Sequence, residues 1–440
     1  MTPSEAPEAL RRQLSVLGLW LLVVNGMVGA GIFGLPSQAA RLVGALSPVA
    51  FLACGLVIVP VILVFAELSS RFGSTGGPIL YVREAFGAFA SFQTGWALYV
   101  SRATAFAANL NLLLSSAAFL WAPADQGATR ITLLTTLCTA LVVLNALGAR
   151  QAIGALGALT VLKFLPIVAL VAWGANQLPI AFSALGAATM PSGTSLGAAA
   201  LLLLYAFVGF ESALVPAGEA RDPHRDMPRS LLAGLALVTL LYALVQAVCL
   251  AVLANVATTD RPVVDAAAAL FGRTGALAMT AAVVVSVAGN VAGGMFSTPR
   301  MTYALAREGL MPAVFAYVHP TFRTPVVSIA VFGAFVLALA IAGSFAWLAA
   351  MSVSIRLLLY VGCVAATWRL RRRAVVADTS GAPSAVVFRA PGAPALAALL
   401  CVALLTQVPL QSFLATAALL GVGLVLFGFA RWGARWSSDR

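Results

Sequence analysis

The chain has 440 residues, of which 61% are hydrophobic and 9% are charged, and its formal net charge is +12. Its mean hydropathy is +1.00, and the apolar residues come in blocks longer than about 18 residues, far more than a soluble core could bury. The composition therefore excludes a soluble globular protein and predicts a polytopic membrane protein.

The predicted fold class is all-α. Backbone inside lipid must satisfy its own hydrogen bonds, and these blocks are too long and too evenly apolar for the alternating strands of a barrel. The first block is also too long for the apolar region of a signal peptide. We expect about 12 transmembrane helices, at residues 14–42, 48–69, 86–120, 131–147, 152–174, 196–218, 230–254, 274–297, 325–342, 345–368, 393–410 and 412–430.

Arginine is unequally distributed between the two sides of these spans. One side carries Arg11, Arg12, Arg71, Arg83, Arg150, Arg221, Arg225, Arg229, Arg300, Arg307, Arg323, Arg369, Arg371, Arg372, Arg373, Arg389, Arg431, Arg435 and Arg440, and the other carries Arg41, Arg130, Arg261 and Arg273. The positive-inside rule places the richer side, with the tails 1–13 and 431–440, in the cytoplasm. We expect a multi-pass protein of the cytoplasmic membrane, in contact with lipid. The net positive charge then reflects the orientation of the chain in the membrane and does not indicate a nucleic-acid partner, because the arginines lie mainly in the loops on one side.

The sequence contains no signature of a metal site or a cofactor. The five cysteines lie in apolar blocks without CxxC spacing, so we expect buried thiols at Cys54, Cys138, Cys249, Cys363 and Cys401. His224 and His319 fall in predicted loops without a partner at metal-ligand spacing, and no paired acidic or phosphate-cradling motif is present. Neither an enzyme nor a cofactor is predicted.

Two predicted spans have irregular sequence at their middles. The first reads VVNGMVGAGIFGLPSQAA and the sixth reads LLYAFVGFESALVPAGEA. Glycine in one membrane helix can simply allow close packing. Two interrupted helices at corresponding positions of two halves are instead typical of inverted-repeat transporters, whose substrate site lies near the midplane. Free N–H groups at a helix restart suit a carboxylate, and unwound carbonyls suit an ammonium, so we expect a zwitterionic α-amino acid.

At these residues the chain resembles the amino acid–polyamine–organocation transporter superfamily. The segment NGMVGAGIFGLP is similar to the glycine motif of the family's first helix, and YAFVGFESALVPAGEARDPHRDMPRS is similar to its sixth helix and the following cytoplasmic loop. Further matches occur in family order at GSTGGPILYVREAFG, NALGARQAIGALGALTVLKFLP and STPRMTYALAREGLMPAVFAYVHPTFRTP. The last seventy or so residues match only in hydropathy.

The resemblance implies a five-plus-five inverted repeat with broken helices 1 and 6 and alternating access to a central site. The first repeat would occupy residues 14–174 and the second 196–371. A polar loop at 372–390 would then lead to accessory spans at 391–430.

The resemblance also implies residue roles at the two breaks. Backbone donors to a substrate carboxylate would come from Gly29, Ala30, Gly31 and Ile32. Backbone facing the amino group would come from Met27, Ala206, Phe207 and Gly209. The ring of Phe207 matches the aromatic position that closes over substrate, and plain packing is its alternative role.

Charged residues inside membrane spans are costly and are functional candidates by default. Glu211 either senses protons, as its family position implies, or pairs with Arg102 or Arg356. Arg102 either contacts an acidic substrate or belongs to an internal ion pair, and Arg356 either snorkels or pairs internally. Glu67 lies toward a cytoplasmic helix end, where we expect water to reach it.

Lys163 is the single lysine among 26 basic residues, and it lies in the fifth predicted span. Its position matches a lysine that, in proton-coupled or uncoupled relatives, replaces the sodium ion of other members. A desolvated amine can release its proton, which a guanidinium does not do. The alternative is a fixed charge that donates to carbonyls of the first span and to Ser286 or Asn290.

The predicted function is secondary active transport of amino acids, either by proton-coupled symport or by exchange. A polyamine or amino acid/amine antiporter is one alternative. A membrane sensor that binds an amino acid without moving it is the other.

Overall fold

The computed structural model describes residues 14–72, 76–147, 156–186, 188–378 and 388–438. These residues form α-helices joined by short turns and 3-10 segments. The helices are α1 Val16–Met27, α2 Gly31–Val43, α3 Ser47–Val57, α4 Val59–Arg71, α5 Pro78–Phe86, α6 Ala88–Ala117, α7 Gly127–Ala146, α8 Leu156–Gly174, α9 Leu178–Gly186, α10 Gly193–Leu203, α11 Glu211–Leu214, α12 Pro223–Val252, α13 Pro262–Ser297, α14 Pro299–Arg307, α15 Val326–Ala342, α16 Phe345–Asp378, α17 Ala393–Leu405 and α18 Leu410–Ser438.

The all-α fold of a membrane protein is confirmed. Extended pairing within the described ranges is confined to an isolated bridge between Leu14 and Ala220. In the part of the chain that the structure describes, seven helical stretches are long and apolar enough to cross a membrane, and a helix pair bent by 44° makes eight. The number of twelve spans stays a prediction, because α1, α15 and α17 are apolar but shorter.

The tenth span runs further than its hydropathy indicates. We predicted its end at residue 368 and a polar loop at 372–390, but α16 continues to Asp378. Arginine is a good helix former and keeps its charge in water on a long stem, so a basic tract prolongs a helix beyond the apolar region. The polar loop therefore begins later than predicted, and residues 379–387 lie outside the described ranges.

The start of α1 defines one face of the helical assembly, which we call the N-terminal face. There the N–H of Leu14 donates to the carbonyl of Glu219 at 2.9 Å, and the N–H of Arg221 donates back to Leu14 at 3.1 Å. The hydroxyl of Ser230 donates to the carbonyl of Val16 at 3.1 Å. These bonds join α1 to the segment after α11 and to the start of α12.

The opposite face, which we call the far face, carries the ends of α2 and α7 that are remote from Leu14. Arg41 near the end of α2 forms an exposed ion pair with Asp260, which precedes α13, at 3.3 Å. Arg130 of α7 forms a half-buried ion pair with Asp125 at 3.3 Å. The same guanidinium donates to Asn111 of α6 at 2.7 Å, so this face is held by polar contacts between helices.

Aromatic side chains fill the centre of the assembly. Phe65 of α4 makes edge contacts with Phe210 and with Tyr360 of α16, at centroid distances of 5.2 and 5.3 Å. Membrane helices gain little from the hydrophobic effect between themselves, so such packing contributes much of their association. The cluster places α4, the second helix break and α16 beside one another. The five cysteines are buried free thiols, as predicted.

Candidate functional site

The first predicted span is broken, and the break exposes backbone donors. Helix α1 ends at Met27 and α2 begins at Gly31. The glycines of this stretch disfavour continuous helix by about 1 kcal/mol each relative to alanine. The N–H of Gly29 turns back to the carbonyl of Met27 at 3.0 Å, whereas the N–H groups of Ala30 and Gly31 have no hydrogen-bond partner among the described residues. They form the start of α2 and carry its positive dipole end.

The sixth predicted span is broken as well. Helix α10 ends at Leu203, a 3-10 turn covers Leu204–Ala206, and α11 begins at Glu211. Gly209 lies between them with φ of +107°, a conformation that glycine adopts far more readily than other residues. The interruptions predicted from sequence in both spans are therefore present.

The two breaks meet backbone to backbone at Gly26 and Gly209. A Cβ on Gly26 would lie 2.5 Å from the carbonyl oxygen of Gly209, and a Cβ on Gly209 would lie 2.2 Å from that of Gly26. Any side chain at either position would push the half-helices apart. These are the glycines that the tertiary contact requires, and Gly26 was absent from the predicted site.

A cavity of about 400 Å³ lies beside the two breaks. It is bounded by α1, α2, α6, α13, α16 and the break before α11. Most of the predicted site residues line it, namely Met27, Gly29, Ala30, Gly31, Arg102, Gly209, Glu211 and Asn290. The volume falls within the range of about 300–1,000 Å³ found for small-molecule sites.

Some predicted residues lie elsewhere. Ile32, Ala206 and Phe207 are buried in the packing and are not among the described residues that line the cavity. The ring of Phe207 packs against Tyr242 at a centroid distance of 6.1 Å. A 3-10 segment has three residues per turn and so changes which side chain faces a given direction. As a result Tyr205, which the sequence did not single out, lines the cavity.

Glu211 is held by two hydrogen bonds and one ion pair. The N–H of Gly209 donates to Oε2 at 2.7 Å, and the hydroxyl of Tyr360 donates to Oε1. Arg356 Nε lies 3.4 Å from the same Oε1, with both side chains almost fully buried. Of the two arginine partners considered from the sequence, the structure pairs Glu211 with Arg356, which therefore does not snorkel to the surface.

Arg102 lines the cavity from the middle of α6. Its Nη1 lies 3.4 Å from the hydroxyl of Ser297 at the end of α13. No carboxylate of the described residues lies within ion-pair distance of this guanidinium. Arg102 thus adds to the cavity a positive charge that forms no ion pair among the described residues.

The surroundings of Lys163 are only partly described. Its backbone belongs to α8, but its side chain lies outside the described residues, so the predicted contact with Ser286 or Asn290 stays a prediction. The hydroxyl of Ser286 is buried and has no hydrogen-bond partner among the described residues. A Cβ on Gly29 would lie 3.0 Å from Asn290 Nδ2, so Asn290 contacts the first break.

The cavity opens toward the N-terminal face. Leu22, Ser212 and Ser297 line it and are exposed, and each lies on that side of the breaks. Toward the far face, Tyr205 packs edge-on against Phe345 at 6.0 Å between centroids, and its hydroxyl lies 3.5 Å from Asn109 Oδ1. Among the described residues, the cavity is therefore open toward the N-terminal face, and the contact between Tyr205 and Phe345 lies on its other side.

Glu67 corrects one expectation from the sequence. We expected water to reach it, but it is fully buried. Arg71 Nη2 donates to Oε1 at 2.9 Å, and Arg371 Nε donates to the same oxygen at 2.8 Å. Arg371 comes 304 positions later in the chain, so hydropathy along the sequence could not reveal this ion cluster between α4 and α16.

Comparison with known proteins gives matches along nearly the whole chain. The family model described as "Amino acid permease" matches residues 14–429. An uncharacterized transporter of Mycobacterium tuberculosis is 27% identical over 438 residues, which cover 98% of this chain and 94% of the relative. The serine/threonine exchanger SteT of Bacillus subtilis is 27% identical over 83% of this chain and 84% of its own length. Human cationic amino acid transporter 4 is 28% identical over 74% of this chain and 54% of its own length.

Proposed function

The chain belongs to the amino acid permease family of the amino acid–polyamine–organocation superfamily and is an amino acid transporter, and we propose that it binds a zwitterionic α-amino acid between its two helix breaks. The observation that carries this proposal is the cavity of about 400 Å³ lined by backbone of both breaks. Glycine at the breaks lets a small ligand approach main-chain groups closely.

The substrate carboxylate would accept from the N–H groups of Ala30 and Gly31. Both are without a hydrogen-bond partner among the described residues, and both lie at the positive dipole end of α2. The substrate ammonium would donate to carbonyls at the end of α1 and in the second break, near Met27 and Gly209. This division of roles follows the polarity of the backbone and needs no charged side chain.

We further propose alternating access across the cytoplasmic membrane, with both termini in the cytoplasm. The arginine asymmetry of the loops supports this orientation. The opening of the cavity toward the N-terminal face then corresponds to an inward-facing state. The five-plus-five inverted repeat is part of this proposal, and the matching breaks in α1–α2 and α10–α11 support it.

The transport mode is exchange or proton-coupled symport. The similarity to a serine/threonine exchanger supports exchange. Lys163 and Glu211 are the candidates for proton coupling, because an amine or a carboxyl can gain and lose a proton within the membrane.

The test is flux into proteoliposomes containing the purified protein. Vesicles are preloaded with unlabelled amino acids, and entry of labelled amino acids is measured with and without an inward proton gradient. Exchange predicts uptake that depends on the internal amino acid, and symport predicts uptake that depends on the gradient. Stabilisation of the protein by amino acids without any flux would identify a sensor, and flux of polyamines alone would identify the amine antiporter.

A further inference from the structure

We infer that the substrate carries a second carboxylate on its side chain, and that Arg102 is the residue that selects it. The inference rests on the proposed site between the helix breaks. It adds the substrate class, the acidic amino acids and their close analogues. Three features of the cavity lead to it.

The first feature is the weak bonding of Arg102 within the protein. A guanidinium has five N–H donors, yet the hydrogen bond to Ser297 is 3.4 Å long, beyond the usual range of about 2.7–3.2 Å. The side chain is half-buried and lines the cavity. Most of its donors are therefore available to a molecule in that cavity.

The second feature is the charge balance of the cavity lining. Among the described lining residues the charged side chains are Arg102, Arg356 and Glu211. Arg356 and Glu211 pair with each other at 3.4 Å. The net charge of these three side chains is therefore positive, and Arg102 is the cation among them without an ion pair. The side chain of Lys163 is not described, but as an amine it could only add to this positive charge.

The third feature is that Arg102 cannot lose its charge. A guanidinium stays protonated in proteins, and an unpaired charge away from bulk water is costly. An anionic group of the substrate would offset that cost and could accept two parallel N–H bonds from the fork. The α-carboxylate has its own donors at Ala30 and Gly31, so the anion left for Arg102 is a side-chain carboxylate.

The inference also distinguishes this protein from the relatives that are named as cationic amino acid transporters. A lysine, arginine or polyamine substrate would bring a further positive charge beside Arg102 in a medium of low dielectric constant, where like charges repel strongly. The same cavity therefore favours acidic substrates and rejects basic ones.

The experiment compares isosteric ligand pairs on purified protein. Binding of L-glutamate against L-glutamine, and of L-aspartate against L-asparagine, is measured by thermal stabilisation and by competition for uptake. For the wild-type protein we expect each acid to bind at least about 10-fold more tightly than its amide, the factor expected from one charge-assisted hydrogen bond. This comparison needs no variant and so cannot be lost to misfolding.

The variant Arg102→Gln should lower affinity for glutamate by about 10-fold to 100-fold and leave affinity for glutamine within about 3-fold. Arg102→Lys keeps the charge but loses the planar fork of donors, so its affinity for glutamate should lie between those of the wild-type protein and Arg102→Gln. The matched control Arg83→Gln removes an arginine from an exposed ion pair with Glu308, and it should keep the wild-type preference.

Equal binding of acid and amide by the wild-type protein would overturn the inference, and so would a parallel loss of both ligands in folded Arg102→Gln. Because binding is measured apart from flux, a preference for acids without transport would count against the proposed function and not against the role of Arg102. Flux of neutral amino acids without a preference for acids would count against the role of Arg102 and not against the proposed function.

Discussion

Gly26 and Gly209 carry the tightest constraint at the site. Their backbones meet where the two half-helices cross, and a methyl group on either would lie within 2.5 Å of the other's carbonyl oxygen. Gly209 is additionally held at a positive φ. The contact and the conformation are separate requirements, and the chain contains positions that isolate each one.

Alanine substitutions at three glycines separate these requirements. Gly26→Ala tests the contact alone, and Gly392→Ala tests positive φ alone, since Gly392 has φ of +77° with nothing within 4 Å of its Cβ position. Gly209→Ala combines both. We expect Gly392→Ala to cost about 1–2 kcal/mol with transport intact. Gly26→Ala and Gly209→Ala should lower the unfolding temperature further and lose substrate uptake. Wild-type uptake in Gly26→Ala would show that the half-helices do not need this contact.

Lys163 poses a different question at the same scale, namely whether its charge changes during transport. If it exchanges a proton, Lys163→Ala and Lys163→Arg should both lose uptake driven by a pH gradient, because a guanidinium cannot release its proton. Binding should survive in Lys163→Ala, since the proposed site is made by backbone of the breaks. The readout is proteoliposome uptake at a fixed inward proton gradient. Gradient-driven uptake in Lys163→Arg would assign the residue a fixed charge.

At the scale of elements, buried ion pairs connect helices that are far apart in sequence. Glu211 joins the second break to α16 through Arg356 and Tyr360. Glu67 joins α4 to α16 through Arg371. Both carboxylates are buried, and both are surrounded by donors. Such pairs add little net stability over apolar packing, but removing one partner leaves the other charge unpaired.

The buried pair can be compared with an exposed arginine–glutamate pair elsewhere in the chain. Glu211→Gln leaves Arg356 without a counter-charge and should lower the free energy of unfolding by about 3–5 kcal/mol. Glu308→Gln removes the exposed pair with Arg83, whose side chains are 44% and 51% accessible, and should cost about 0–1 kcal/mol. Unfolding in mixed detergent micelles measures both. Equal costs would contradict a buried ion pair between Glu211 and Arg356.

At the scale of the whole molecule, the cavity reaches one face and is closed at the other. Ser212 and Ser297 line the open side, whereas Tyr205 and Phe345 lie toward the closed side. The proposed alternating access requires that the open side close and the closed side open during transport. The orientation of the chain then decides which compartment this state faces.

Single cysteines can measure that orientation, because the native thiols are buried. An impermeant thiol reagent should label Asp260→Cys in intact cells and should not label Ser212→Cys or Ser297→Cys. In inside-out vesicles the labelling should reverse, and a bound substrate should slow it at Ser212→Cys. Labelling of Glu308→Cys from outside would contradict the cytoplasmic placement of the N-terminal face.

The sequence by itself determined the features that depend on local composition. Long apolar blocks have one stable backbone solution in lipid, so the all-α membrane fold could be predicted. Glycine clusters weaken a helix wherever they occur, so both breaks could be located. A charge inside a span stands out against its apolar neighbours, which identified Arg102, Glu211 and Arg356 as candidates.

The tertiary structure decided which of these residues meet. Glu211 and Tyr360 are 149 positions apart, and nothing in either segment indicates that α11 packs on α16. Contacts between remote helices also explain the Gly26 contact and the burial of Glu67. They explain as well why Tyr205, and not Phe207, lines the cavity. Pairing between remote helices depends on side-chain shape and on the 3-10 turn at the second break. Neither can be predicted from the hydrophobic periodicity of a single span.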